Sequence, residues 1–539
     1  MRGSRVVVVG SGPSAVHFAL TVLRKGYGVL MLDVGYEKPA AVNPEDSFAA
    51  LKQNLSDPAG YFLGPNLEGL LLPSKEKREY YGIPPNKDYV FRPAAGYETR
   101  ARGFAPLFSF ARGGMAEAWT AGCYPFNDAE LAEFPFNYAG IAPYYEEIAR
   151  RIGISGEPDD LQKFFPLHGG LIEPLELDFH SRELMNAYAR RRQELNSRLG
   201  CYLGRTRVAT LSRDLEGRRA CSKLGRCLWG CPTDSLYTPS ITLRQCQTLP
   251  NFEYVPGHLV THFEFNSGNH ITAVVAAPVV GGEARKFPVE TLVLAAGALP
   301  STRIFLESVL RGAGQRLELR GLMDNRQVLM PFVNLNLIGK NYSPGSYQYH
   351  LLGMGLEMPV PREYVHGQVT TLKTALLHPI IQNLPCDLRA AMFILRVTHC
   401  ALGIVNVNFH DARREGNRAT LEKDSATGRE RLLVHYAPPK DEAQRMGPAL
   451  RRIRAALWKL GCFVPPGMAH VRPMGASAHY AGTLPMSTES KPHTASPAGQ
   501  SYDFENLFLA DGAAFPFLPA KNITFTLMAN AVRIADQAF

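Results

Sequence analysis

Val6-Val7-Val8-Val9-Gly10-Ser11-Gly12-Pro13-Ser14-Ala15 is the stretch that decides the fold, and Asp33 stands 23 positions after Gly10. Four successive β-branched residues read as a buried strand, the glycines as a tight turn, and residues 13 to 25 as a helix. A second strand at residues 28 to 32 leads to the acid, completing a βαβ opening. Each part has a physical task. Gly10 permits the turn, Gly12 lets the backbone approach a pyrophosphate, and the small Ala15 lets the helix lie close to the strand. The helix N-terminus offers amide donors to phosphate, and Asp33 accepts from a ribose hydroxyl. A dinucleotide site is the reading. A strand-helix turn without ligand is the bland alternative, and the turn by itself does not choose between FAD and NAD.

Residues 36 to 127 are irregular and rich in Pro, Gly and aromatics. A second strand is expected at residues 291 to 295, ending in Ala-Ala-Gly and leading into a helix at residues 301 to 310. Residues 315 to 455 alternate with period two in places, at 332–338 and 403–409, which predicts a half-exposed antiparallel sheet. An Ala-rich helix closes the chain at Phe539. Residues 370 to 405 form an apolar, helical pair of segments broken at Pro385. Core is the expected fate of that pair, and an apolar lid or a membrane-resting surface is the alternative.

Composition narrows the class. The 539 residues are 45% hydrophobic and 20% charged, as in ordinary globular proteins. The net charge is +9, yet Lys and Arg are scattered among 49 acids without a basic stripe, so nucleic acid is not an expected partner. Met-Arg-Gly-Ser-Arg leads straight into the first strand, and no apolar run approaches the roughly 20 residues of a membrane span. The expectation is a cytoplasmic protein with no transmembrane segment, for which peripheral membrane contact stays open. Nine cysteines spread from Cys123 to Cys462 read as reduced thiols. Cys221, Cys227 and Cys231 are closely spaced and precede Pro232, a pattern reminiscent of iron-sulfur ligation. Without an obvious fourth ligand, plain thiols in a compact loop are preferred and no metal is assigned.

Four further stretches together resemble the glucose-methanol-choline (GMC) family of oxidoreductases. They are Gly113-Gly114-Met115-Ala116-Glu117-Ala118-Trp119; Phe134-Pro135-Phe136 with Pro143-Tyr144-Tyr145; Leu294-Ala295-Ala296-Gly297; and a C-terminal block from His479 to Asp536. That block holds His479-Tyr480-Ala481-Gly482-Thr483, Ala510-Asp511-Gly512 and Lys521-Asn522-Ile523-Thr524. Ile523 stands where the family usually has proline, which is favoured at a first helical turn but not required.

The resemblance implies an α/β fold with a Rossmann-like FAD-binding domain of discontinuous segments, and an α+β substrate domain with an antiparallel sheet. The FAD-binding parts are 1–150, 201–314 and 456–539; the substrate parts are 151–200 and 315–455. It implies noncovalent FAD held by Gly10, Gly12, Ala15, Asp33, Gly113, Gly114, Trp119, Val260, Ala296, Asp511, Gly512, Ile523 and Thr524. It also implies His479 and Asn522 as the catalytic pair. Oxidising an alcohol means losing the hydroxyl proton while a hydride leaves the same carbon. A base with pKa near 7 contributes roughly 10²- to 10⁴-fold to such a step. His479 has that chemistry, and Asn522 donates to the substrate oxygen. His470 is the reserve candidate for the base. Asp511 is expected to reach the cofactor through its amide or carboxylate. The implied substrate is a small-molecule alcohol, whether sugar, glycoside or sterol, with oxygen or a redox partner as electron acceptor. Two other functions share the fold: a hydroxynitrile lyase with redox-inert FAD, and a flavin protein without activity.

Overall fold

The computed structural model describes residues 5–39, 46–70, 83–382, 384–425 and 427–539. Its centre is a five-stranded sheet in the order Leu507–Leu509, Thr291–Leu294, Arg5–Val9, Gly28–Leu32, Phe252–Val255. All pairings in it are parallel. A parallel sheet is covered on both faces, and the opening valines show how. Val6 and Val8 pack with Phe18, Val22, Ala531 and Ile534 of the first and last helices, Pro13–Arg24 and Thr524–Ala538. Val7 and Val9 face the larger core on the other side. The two ends of the chain therefore lie side by side on one face of one sheet.

A seven-stranded sheet forms the second body. Its path runs Cys462–Phe463, Arg326–Asn334, Leu402–Phe409, Val365–Thr371, Leu352–Leu356, Cys201–Arg205, with His470–Val471 also on Arg326–Asn334. Every pairing in it is antiparallel. Alternation divides its faces. Val328, Met330, Phe332, Val405 and Val407 pack against the helices Phe179–Leu199 and Glu442–Lys459. Gln327, Gln368 and Asn406 point the other way and line a cavity.

Three sequence-based expectations change. Cys201–Arg205, grouped with the middle flavin-binding segment, pairs instead with Leu352–Leu356, so the substrate body extends past residue 200. Cys462–Phe463 and His470–Val471 likewise belong to the antiparallel sheet and not to the C-terminal flavin part. Periodicity does not reveal which partner a short strand will find. The apolar pair in 370–405 does form helices, at His378–Ile381 and Leu388–Thr398, but only Ala391 and Leu395 of the second are buried. Core was the wrong destination for it. No helix among the described residues is long and apolar enough to cross a membrane.

Lys521 ties the last segment to the rest of the protein. Its side chain and that of Glu130 are both 0% exposed and pair at 2.5 Å. Its ammonium also donates to the carbonyls of Pro125 (2.8 Å) and Phe164 (2.7 Å), using all three donors. Burial lowers the Lys521 pKa to about 8 against the raising pull of Glu130. Removing one member of such a pair leaves an uncompensated charge. Lys521→Met is expected to destabilise the protein by about 3–5 kcal/mol, and a double variant Lys521→Met/Glu130→Leu by less. Denaturant unfolding monitored by circular dichroism checks both, and equal losses in the two variants would contradict the coupling.

Candidate active site

A cavity of about 470 Å³ is lined by both sheets and by the N-termini of both terminal helices. Its lining includes Gly10, Gly12, Asp33, Gly114, Trp119, Val260, Ala296, Asp511 and Gly512, together with Gln327, Tyr349, Gln368, Asn406, His479 and Asn522. Ile523 and Thr524 line it too. Ala15 and Gly113 stand behind the wall: Ala15 is fully buried within the first helix, packed with Val6 and Val8, and the Gly113 amide donates to Ser11 Oγ at 2.9 Å.

The two glycines of the opening turn differ. Gly10 has φ +97°, and a Cβ there would sit 2.8 Å from the Ala295 carbonyl oxygen, so only glycine fits. Gly12 has φ −66° and ψ 179°, which any residue adopts, and a Cβ there meets nothing within 4 Å. Its side-chain direction is cavity, the space a pyrophosphate needs. Gly12 caps the first helix and Ile523 the last; neither helix has a side-chain cap or an acid in its first turn. Both therefore present free amides and the positive end of a helix dipole to the same cavity. These features fit a dinucleotide carrying a flavin.

Asp33 is buried, and burial pushes its carboxyl up to about 6 despite hydrogen bonds from Ser11, Tyr254 and the backbone. Its Oδ2 accepts from the Ser11 hydroxyl and from Tyr254 Oη at 3.0 Å. The Asp511 carboxylate is occupied internally, accepting from Ser301 Oγ (2.5 Å) and the amides of Gly297 and Ala513 (both 2.9 Å). It braces the turns around the cavity. Trp119 donates from its indole to the Tyr237 carbonyl at 2.8 Å.

His479 and Asn522 are oriented by amide side chains that sequence reading did not single out. Asn325 Nδ2 donates to the carbonyls of Phe409 and Pro519, both at 2.9 Å, so its Oδ1 is left as an acceptor. That oxygen lies 2.9 Å from His479 Nδ1. The proton of a neutral imidazole must then sit on Nδ1, leaving Nε2 with a free lone pair. Gln368 repeats the device: its Nε2 donates to Asn522 Oδ1, which fixes the Asn522 Nδ2 as the donor end. Asp324, beside Asn325, accepts from Ser477 Oγ and from the Gly475 amide (2.5 Å), and Ser477 Oγ accepts the His479 amide at 3.0 Å. Ala478, at φ +58°, is a left-handed non-glycine residue immediately before the histidine, a strain held by these contacts.

Burial drives the His479 pKa down to about 4, below the value near 7 expected for the base. Desolvation penalises imidazolium, so the ring stays neutral through the physiological range. His470 lies exposed on a short strand and does not line the cavity. All nine cysteines are unpaired; Cys221, Cys227 and Cys231 pack half-buried against the core. Among the described residues no group of three or more His, Cys, Asp or Glu side chains is placed to hold a metal ion.

Sheet order, two-body architecture and a cavity between helix N-termini define an α/β dinucleotide-binding fold joined to a second, antiparallel body. Comparison with known proteins carries this further. The family model for GMC oxidoreductase matches residues 413–531. The 6'''-hydroxyparomomycin C oxidase of Streptomyces lividus is 22% identical, with 98% of this chain and 90% of that protein covered. The 2-methyl-1,2-propanediol dehydrogenase of Mycolicibacterium austroafricanum is also 22% identical, covering 98% and 94%. The crystal structure of pyridoxine 4-oxidase from Mesorbium loti shares the fold at TM-score 0.60 and 15% identity, over 99% of each chain. Formate oxidase does so at TM-score 0.62 and 13% identity, over 99% and 98%. The C-terminal part of the chain thus matches the GMC oxidoreductase model, and the chain as a whole is similar in sequence to oxidases and a dehydrogenase and in fold to two oxidases.

The contrast between the two glycines is testable. Gly12→Val should fold, because its backbone and its surroundings accept a side chain, yet purify without bound flavin. Gly10→Val should fail to give stable protein. Absorbance of flavin released by denaturation, together with Tm, separates the two; full flavin content in Gly12→Val would remove this turn from the cofactor site.

Proposed function

We propose that this protein catalyses FAD-dependent oxidation of a CH–OH carbon in a small-molecule alcohol to a carbonyl. The observation that carries the reading is the hydrogen-bond polarity of the two cavity side chains. Asn325 holds the His479 proton on Nδ1, and Gln368 turns the Asn522 amino group outward, so a proton acceptor and a hydrogen-bond donor line the same cavity.

His479 Nε2 takes the hydroxyl proton while Nδ1–H remains on Asn325, whose oxygen then stabilises the imidazolium. Asn522 Nδ2 donates to the substrate oxygen and orients the carbon. FAD, when bound, supplies the hydride acceptor. The cradle of Gly12, Gly114, Trp119, Val260 and Ala296 would hold it, and the free amides at Ile523 and Thr524 would offer it positive potential. Relatives named as oxidases and as a dehydrogenase support oxidation over the lyase alternative. Oxygen or a redox partner is the onward electron acceptor. Nine unpaired cysteines suit a reducing compartment, and we place the protein in the cytoplasm.

Anaerobic mixing with a panel of alcohols should bleach the flavin absorbance with the true substrate class. Turnover with the flavin remaining oxidised would overturn the redox reading.

The catalytic pair makes a graded prediction. His479→Ala should retain FAD and slow anaerobic flavin reduction by about 100-fold or more, and Asn522→Ala should do less harm because the base remains. The wild-type rate should be flat across neutral pH and fall as pH drops through about 4, where the imidazole takes up a proton and loses its acceptor lone pair. That acid limb should vanish in His479→Ala. An unchanged rate and profile in the variant would assign the base elsewhere.

A further inference from the structure

The helix Leu388–Thr398 turns large apolar side chains to solvent. Leu388 is 69% exposed and Phe393 65%, with Met392 and Ile394 exposed beside them. Arg389 and Arg396, also exposed, flank Phe393 at helical spacing (i, i+4, i+7). The row continues beyond the helix. The Gly339 amide donates to the Val397 carbonyl at 2.8 Å, setting exposed Ile338 and Lys340 beside the helix end. The Leu335 amide donates to the Gly461 carbonyl at 2.9 Å, joining exposed Leu335 to the turn that follows Trp458, itself 60% exposed. On the helix Glu442–Lys459, exposed Arg451 and Arg454 share the outward face of Trp458 (i, i+3, i+7).

Charge decides what such a surface meets. None of Arg389, Arg396, Lys340, Arg451 and Arg454 forms an ion pair among the described residues. The nearby carboxylates are already engaged: Asp387 caps its own helix through the Ala390 amide at 3.0 Å, and Glu194 pairs with Lys459 at 2.8 Å. A second copy related by a two-fold axis would set cations against the same cations. Protruding Leu, Phe, Met, Ile and Trp side chains framed by unpaired Arg and Lys instead match a membrane interface, where apolar groups enter the headgroup boundary and guanidinium groups meet lipid phosphate.

We propose that this face docks the protein on an anionic lipid surface as a peripheral contact. The contact is independent of the oxidation reaction and is read without it. The flavin-loaded protein should sediment with phosphatidylcholine vesicles containing phosphatidylglycerol and not with phosphatidylcholine alone. The double variants Leu388→Asp/Phe393→Asp and Arg389→Glu/Arg396→Glu should each weaken that partition about tenfold or more. Unchanged flavin content and Tm in the variants, all four sites being exposed, would tie the loss to the surface and not to misfolding. Wild-type protein left in the supernatant with anionic vesicles, or variants that bind as the wild type does, would overturn the proposal. So would light scattering that shows a wild-type dimer made monomeric by Leu388→Asp/Phe393→Asp, since the face would then be an interface between copies.

Discussion

Two helices from opposite ends of the chain must lie side by side with their N-termini opening on one cavity, and most of the architecture follows from that constraint. Pro13–Arg24 and Thr524–Ala538 share one face of the parallel sheet, held by Phe18, Val22, Ala531 and Ile534. Apolar burial of this kind is non-directional, so it brings the helices together without setting their ends. Direction comes from polar anchors. Only glycine fits at position 10 beside the Ala295 carbonyl, and Lys521 pins the approach to the last helix on Glu130 and two carbonyls. Both sets of unpaired amides then converge where a dinucleotide flavin needs them.

His479 and Asn522 rest on a different set of interactions. Neither His479 nor Asn522 meets a charged partner by hydrogen bond; each is oriented by a neutral amide whose own bonds leave it a single role. A carboxylate on Nδ1 would favour imidazolium, whereas Asn325 accepts the proton's hydrogen bond without that bias. Burial can then keep the ring neutral at ordinary pH. The antiparallel sheet has a matching division of labour. One face is apolar and packs on helices, and the other spends Gln327, Gln368 and Asn406 on the cavity. The antiparallel body therefore supplies polar side chains to the cavity and is not merely a cover over the parallel sheet.

Much of this was present in local pattern. The run Val6 to Ala15 with Asp33, and the blocks around Gly114, Ala296, Asp511 and Asn522, are contiguous in sequence because each is a turn whose backbone must take one shape. Alternation at 403–409 foretold the antiparallel strand, but not the fate of its polar face, which lines the interior with Asn408 buried instead of half exposed. The apolar helix pair misled, because helical periodicity reports that one face differs from another and not that a partner exists to cover it. Asp511 is a related case. Its position in the turn was legible, while the employment of its carboxylate on Gly297, Ser301 and Ala513 was not.

The amino-acid sequence alone carried the βαβ turn, the need for glycine at position 10, the family resemblance and the choice of His479 and Asn522 as candidates for the catalytic pair. These depend on backbone sterics and on side-chain chemistry, which act within a few residues. Tertiary structure decided that Asn325 and Gln368 orient that pair, that Cys201–Arg205 joins the substrate sheet, that His479 stays neutral, and that Phe393 and Trp458 face outward. Each of these turns on a partner or a solvent boundary more than fifty positions away or on no partner at all, and proximity of that kind is created only when the chain closes on itself.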